Sequence, residues 1–346
     1  MRYLFFLLFF VVMPLGAEEL DFSVSSRSVS EPMAIKGFAD QWSNTLHSGD
    51  IAWTRNRLEA GVRKGAFRVG YIQRYDYALT FNDETADLYY RSENDLPEPE
   101  GDVPVRLNAW HMRTQGAKFS WRWTAGAFHV EPALSLLSGW QFQDGSLDGF
   151  LRNESGELSG QAELDYRYSQ DLLLDHQFER PAGTGLALDL TLRWIGEGQG
   201  VILDIQDAYG RMWWRDAPYT KGTFNTVDRD TPGEVKLDPA FTGKRNTEDY
   251  QQTLSSYTRG SYWLEQSGWR WSVEGEYFLE RLWVRPGVSW TRLSGNPYMG
   301  YELRDRQWLL GLKGDDDRWS FELGSDTFKL EDSRSLTVSA GYSLLW

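Results

Sequence analysis

Residues 335–346 constrain the fold more than any other stretch. Leu336, Val338, Ala340, Tyr342, Leu344 and Trp346 alternate with Ser335, Thr337, Ser339, Gly341 and Ser343. A period of two places every apolar side chain on one face of an extended strand and every small polar one on the other. The segment before it repeats the pattern, with Trp319, Phe321 and Leu323 against Arg318, Ser320, Glu322 and Gly324, and Asp332-Ser333 as the turn between. Phe67, Val69, Tyr71, Tyr75, Tyr77, Leu79 and Phe81 alternate in the same way with Arg68, Gly70, Arg74, Asp76 and Thr80, after a tight turn at Lys64-Gly65. Leu186 to Trp194 and Trp269 to Leu279 follow suit.

Such strands fit a closed barrel whose apolar face meets lipid. The chain holds 17 Trp, 17 Tyr and 18 Phe, yet its mean hydropathy is −0.53. A transmembrane β-barrel reconciles these values, because lipid-facing residues alternate with lumen residues and aromatic girdles mark both interfaces. Beyond Ala17 no apolar run nears the ~20 residues of a membrane helix. Arg2, the apolar run Leu4 to Met13 and the small Gly16-Ala17 have the layout of a secretory leader, with cleavage expected after Ala17. A net charge of −14 argues against nucleic acid as a partner, and the absence of cysteine excludes disulfides, cysteine-ligated zinc and a thiol nucleophile. No cofactor is implied.

Candidate strands lie at 51–63, 66–81, 104–115, 118–129, 132–143, 146–153, 158–170, 184–196, 200–214, 250–265, 268–280, 282–293, 298–313, 317–329 and 333–346. Gly149 and Arg152 make 146–153 the weakest. Since bacterial barrels have an even strand number, the expectation is an all-β fold, a transmembrane antiparallel barrel of about 14 strands within a range of 12–16. The expected layout is a leader at 1–17, a periplasmic extension, plug or irregular first strand at 18–49, and the barrel at 50–346. Asn82 to Pro104 and Asp216 to Thr247 read as extracellular loops. Pro286, near Gly275 and Gly287, predicts either a local bulge or a lateral opening in the wall.

The ending, Val338, Ala340, Tyr342, Leu344 and Trp346, resembles the outer-membrane assembly signal of Gram-negative barrels, with Trp where Phe is the usual last residue. That resemblance implies the outer membrane as location, with its lipid, its lipopolysaccharide and the barrel-assembly machinery as partners. Gly183 to Trp214, with Gly-Thr-Gly-Leu-Ala-Leu-Asp-Leu, then Leu203-Asp204-Ile205-Gln206-Asp207 and Met212-Trp213-Trp214, resembles a hairpin of FadL-like and PorV-like barrels. No counterpart of the FadL N-terminal hatch is present, so no ligand-binding residues carry over.

If the apolar faces meet lipid, the lumen receives Arg55, Arg57, Glu59, Arg63, Arg68, Arg74, Asp76, Asp189, Arg193, Arg270, Glu274, Glu276, Arg285 and Glu322, and also Glu163, Asp165 and Arg167. Such a set makes either a charged pore that sorts solutes or a web of ion pairs that closes the lumen. His47, His111, His129 and His176 show no metal-ligand spacing, and His129 precedes Val130-Glu131 rather than the Ser-Asn-Gly of outer-membrane phospholipases. The functional expectation is a passive channel or transporter for small, even amphipathic, solutes. The alternatives are a non-conducting scaffold for an envelope protein partner and, third, an outer-membrane enzyme.

Overall fold

The computed structural model describes residues 18–38, 42, 45–170, 179–226, 239–314 and 318–345. The expected leader, His176 and Trp346 lie outside the described residues. The strands are β1 (Glu19–Ser30), β2 (Ile51–Lys64), β3 (Phe67–Phe81), β4 (Gly101–Trp121), β5 (Trp123–Ala125), β6 (Phe128–Glu154), β7 (Glu157–Tyr168), β8 (Gly183–Gly196) and β9 (Gln199–Thr226). They continue as β10 (Pro239–Thr253), β11 (Tyr257–Gln266), β12 (Trp269–Phe278), β13 (Arg281–Trp290), β14 (Tyr298–Tyr301), β15 (Trp308–Lys313), β16 (Trp319–Ser325) and β17 (Ser335–Leu345). Every pairing is antiparallel, and β1 closes the ring by pairing with β17 on one side and β2 on the other. The lower half of β6 pairs with β8 and its upper half with β7. The lower half of β9 pairs with β11 and its upper half with β10. With β5 continuing β4, and β7 and β10 stacked above β8 and β11, the wall is a closed barrel of 14 strands.

β1 begins and β17 ends on the side of the short turns, where Glu19 pairs with Leu345 and with Arg63. Gly65, at φ 56°, makes one of them, a left-handed position that glycine fills without strain. Short turns mark the periplasmic side, so the long connections are extracellular. Outward residues are large and apolar, among them Leu188, Trp271, Leu310, Phe321 and Tyr342. Val338, Ala340, Tyr342 and Leu344 share the outward face of β17, where Tyr342 pairs with Phe22 and with Trp319.

Four expectations change. Of the three alternatives for 18–49, residues 19–30 take the third, a first wall strand, rather than a periplasmic extension or plug, so the barrel begins well before residue 50. Leu20, Phe22 and Val24 mark its lipid face, but Ser26 and Ser28 complete that face and dilute the stripe. Residues 31–38, Trp42 and 45–50 belong to the extracellular rim, where Met33, Phe38, Trp42 and Leu46 pack against Phe81, Ala86 and Tyr90 of helix α1 (Asp83–Glu93) and its approach. That helix occupies part of the expected 82–104 loop, with Asp83 and Glu84 in the first turn and Arg91 in the last, as the helix dipole favours.

Second, β4 runs straight through Gly116, which falls between the expected strands 104–115 and 118–129. Glycine stands there because a Cβ would lie 1.9 Å from the Leu136 carbonyl oxygen of β6. The turn falls instead within the expected 118–129 strand, and 132–143 and 146–153 are one continuous β6. Third, much of 216–247 is ladder rather than loop, since upper β9 pairs with β10 from Pro239↔Thr226 to Glu248↔Ala217. Segment 298–313 conversely divides into β14 and β15. Fourth, Pro286 makes no bulge in the ladder between β12 and β13. The β12 register passes Val273↔Pro286 without a shift, and β13 starts to pair with β14 one residue on, at Gly287↔Gly300.

Candidate functional site: a charged constriction in the lumen

The bulge that matters lies between β8 and β9. Their register jumps from Leu188↔Tyr209 to Leu190↔Ile205, so three residues of β9 stand opposite Asp189 alone. Asp207 sits in this bulge at φ 54°. Strict alternation from Leu203 and Ile205 would point it at lipid, whereas the bulge turns it into the lumen, where its side chain is fully buried. Its backbone N–H donates to Asp189 Oδ1 at 2.8 Å.

Inward residues of β2 and β3 meet it there. Arg57 stands opposite Arg74 in the ladder and Arg55 opposite Asp76. Arg74 grips Asp207 as a fork, with Nη1 to Oδ1 and Nη2 to Oδ2 both at 2.7 Å, and its Nη2 also reaches Asp76 at 2.8 Å. Arg57 Nη2 donates to Asp207 at 3.1 Å, and Arg55 Nη2 lies 3.5 Å away. A buried carboxylate thus separates like charges that would otherwise repel, through charge-assisted bonds. Arg74 and Asp207 belong to β3 and β9, so the pair spans the lumen rather than running along the wall.

Below this layer Lys118 bridges Glu59 (2.9 Å) and Asp189 (3.0 Å), Arg68 binds Asp21, and Arg63 and Arg122 share Glu131. The other side of the lumen carries a second web. Arg27 of β1 meets Glu276 of β12 at 2.9 Å, Arg285 lies 3.0 Å from Glu274 and 3.5 Å from both Glu276 and Glu322, and Arg259 reaches Glu274 at 2.6 Å. Trp53 touches Phe278 and Trp283 across the barrel, with ring centroids 5.2 and 5.5 Å apart. The Arg27 guanidinium covers Trp53, and that of Arg55 covers Tyr257 and Phe278.

The structure places Arg55, Arg57, Glu59, Arg68, Arg74, Asp76, Asp189, Glu274, Glu276, Arg285 and Glu322 in these two webs. Arg193 and Arg270 stay outside them. Arg193 lines a 310 Å³ recess at the periplasmic mouth with Arg122, His129 and Glu131, and Arg270 pairs with Glu265 over the Trp263 ring. Asp165 and Arg167 lie above the barrel on β7. Sequence reading missed Asp207, Lys118, Arg27, Asp21, Glu131 and Arg259. Parity with Met112 and Thr114 would have found Lys118 had β4 been read as unbroken. Of the other histidines, His111 packs outward beside Tyr75 and Tyr77, His129 meets Thr124 inside the mouth, and His47 is in the rim.

No family model matches this chain. Nor does any curated protein. Among solved structures the chain is similar to the TodX deltaS2S3 mutant monoaromatic hydrocarbon channel, with 9% identity over 95% of this chain and 90% of that one and a TM-score of 0.45. It is also similar to the Ralstonia pickettii toluene transporter TbuX (9% identity, 96% and 90% covered, TM-score 0.34) and to the CymD monoaromatic hydrocarbon channel (8%, 95% and 89%, TM-score 0.31). At these identities nothing about a solute passes from them to this chain.

Proposed function

We propose that this protein is a passive outer-membrane channel for small solutes, with the two salt-bridge webs as its constriction. One observation carries the reading: beside buried apolar clusters around Met112, Phe142 and Trp214 and around Trp53, Phe278 and Trp283, two webs of paired charges cross the lumen. A barrel that served only as a wall could fill its interior with well-packed apolar side chains, often at no loss of stability. Paired charges instead leave a wettable, sorting surface. The recess at the mouth and a second cavity at mid-lumen lie on the same inward surface. Outer-membrane lipid and lipopolysaccharide surround the apolar wall in this reading, and β17 is what the assembly machinery recognises.

The scaffold reading keeps one specific observation in its favour. Upper β6, β7, upper β9 and β10 form a blade above the barrel, and among the described residues the strand that β10 pairs with from Pro239 to Glu248 is β9. An envelope protein partner could dock on that blade. Solute-dependent swelling of liposomes carrying the refolded protein separates the two readings. Swelling that slows with solute size supports the channel, and liposomes as tight as empty ones support the scaffold.

A further inference from the structure

The outward face of the tall side carries a polar patch that a plain lipid-facing wall would not need. Tyr75 and Tyr77 of β3 stand opposite Arg113 and His111 of β4, which stand opposite Gln141 and Gln143 of β6. Arg74 and Asp76 alternate with the two tyrosines and point into the lumen, so the six residues of the patch face outside. They line a cavity of about 160 Å³ with Phe142, Ser169 and Gln170, and no carboxylate is among these residues.

The cavity lies where the wall changes. β6 leaves β8 at Gly139↔Gly183 and joins β7 at Gln143↔Tyr168, so the barrel gives way to the blade here. Below it the outward residues of β4 and β6 turn apolar, with Ala117 against Leu136 and Phe119 against Leu134. From Trp121, at the periplasmic end of β4, up to Arg113 is roughly 20 Å along the membrane normal, for a strand rising about 3.4 Å per residue at a tilt near 40°. The apolar band of such a barrel is about 25 Å tall, and a long arginine side chain reaches beyond its own Cα toward water. The patch therefore stands at the headgroups of the outer leaflet.

Arg113 sets the chemistry. It is exposed, its guanidinium lies over the Tyr75 ring at 4.6 Å, and no carboxylate pairs with it among the described residues. His111 stands edge-on to Tyr75 and Tyr77, at 5.1 and 5.9 Å, and fixes the rings beside that guanidinium. An open guanidinium fork matches phosphate oxygens. The Gln141 amide and the Tyr77 hydroxyl next to it suit the hydroxyls of a sugar. We infer that this outward pocket binds the phosphorylated sugar headgroup of an outer-leaflet lipid, with Arg113 as the phosphate ligand. The inference rests on the outer-membrane placement of the wall and not on conduction.

Native mass spectrometry of the folded protein in detergent, titrated with bisphosphorylated lipid A and with its dephosphorylated form, tests it. The phosphorylated lipid should be retained about tenfold more tightly, the worth of one charge-assisted bond. R113Q should remove that advantage, and R113K, which keeps the charge and loses the fork, should weaken retention by a few-fold. Heat-modifiable mobility checks that the variants fold, and should R113Q fail to fold, the two lipids compared on the wild type still decide. Equal retention of both lipids, equal retention of phosphatidylglycerol, displacement by millimolar inorganic phosphate, or wild-type retention in folded R113Q overturns the site. Retention by a protein whose liposomes do not swell would reject the channel and keep the site, and swelling without retention would do the reverse.

Discussion

The two sides of the barrel are built differently. On the tall side β4 and β6 pair without a break except for one bulge, from Gly101↔Asn153 down to Ser120↔Ala133, and β9 extends over 28 residues. On the low side β13 and β14 share only Gly287↔Gly300, Val288↔Met299 and Ser289↔Tyr298, and β14 has four residues. Backbone ladders hold the tall side and carry the blade above it. The low side has few rungs, so its closure leans on side chains. Arg285 reaches from β13 to β12 and β16, and the loop between β14 and β15 folds inward on Glu302, whose carboxylate accepts the N–H groups of Arg304 and Asp305. Buried charge thus does two jobs, spanning the lumen between strands of the tall side and lacing short strands together on the low side.

The largest effect should come from unpairing the lumen-spanning web. Asp207→Ala strands Arg57 and Arg74 and should cost about 3–5 kcal/mol, whereas R74Q/D207N, which removes one charge of each sign, should cost clearly less. Urea unfolding in lipid vesicles, followed by heat-modifiable mobility, measures both. Equal losses would mean that the web contributes packing and not charge pairing.

Next come the lipid faces. Leu188→Arg on the tall side and Leu310→Arg on the low side should each cost about 2–4 kcal/mol near the bilayer midplane. Thr191→Arg, which faces the lumen beside Asp204, should cost far less. Hydrogen exchange sharpens the contrast, with amides of β14 and β15 exchanging ahead of those of β4 and β6 in Leu310→Arg. Uniform exchange around the ring would remove the distinction between the sides.

Period-two alternation made most of this wall legible, because lipid on one face and water on the other impose opposite demands on neighbouring residues. It failed where another force outranked it. Ser26 and Ser28 hide β1 because a strand at the interface tolerates polar outward residues. Gly116 falls between two expected strands because sequence does not display the approach of the Leu136 carbonyl. Asp207 has the wrong parity because a bulge adds residues without any apolar signal. The lumen charges of regular strands such as β2 and β3 could be read from parity, but their partners across the barrel could not, since distances between remote strands depend on closure.

A smaller effect belongs to the low-side loop. Burial, with the nearby Glu302 carboxylate, pushes Asp305 up to about 7, while Arg27 pulls it down. A carboxyl raised on folding favours the protonated folded form. Its contribution is therefore fully present below the unfolded value near ~4 and is lost as pH rises through about 7. Unfolding near pH 5 should be harder than near pH 8 by about 1–3 kcal/mol, and Asp305→Asn should flatten that slope. A slope unchanged in the variant would detach the effect from this loop.

The most direct test of the constriction is single-channel current through the wild-type protein and R74Q/D207N in planar bilayers. A small current in the wild type that rises severalfold once the lumen-spanning pair is removed, in a variant that still shows heat-modifiable mobility, is the expected result. The same current in both proteins, or none in either, would contradict a path limited by Arg74 and Asp207.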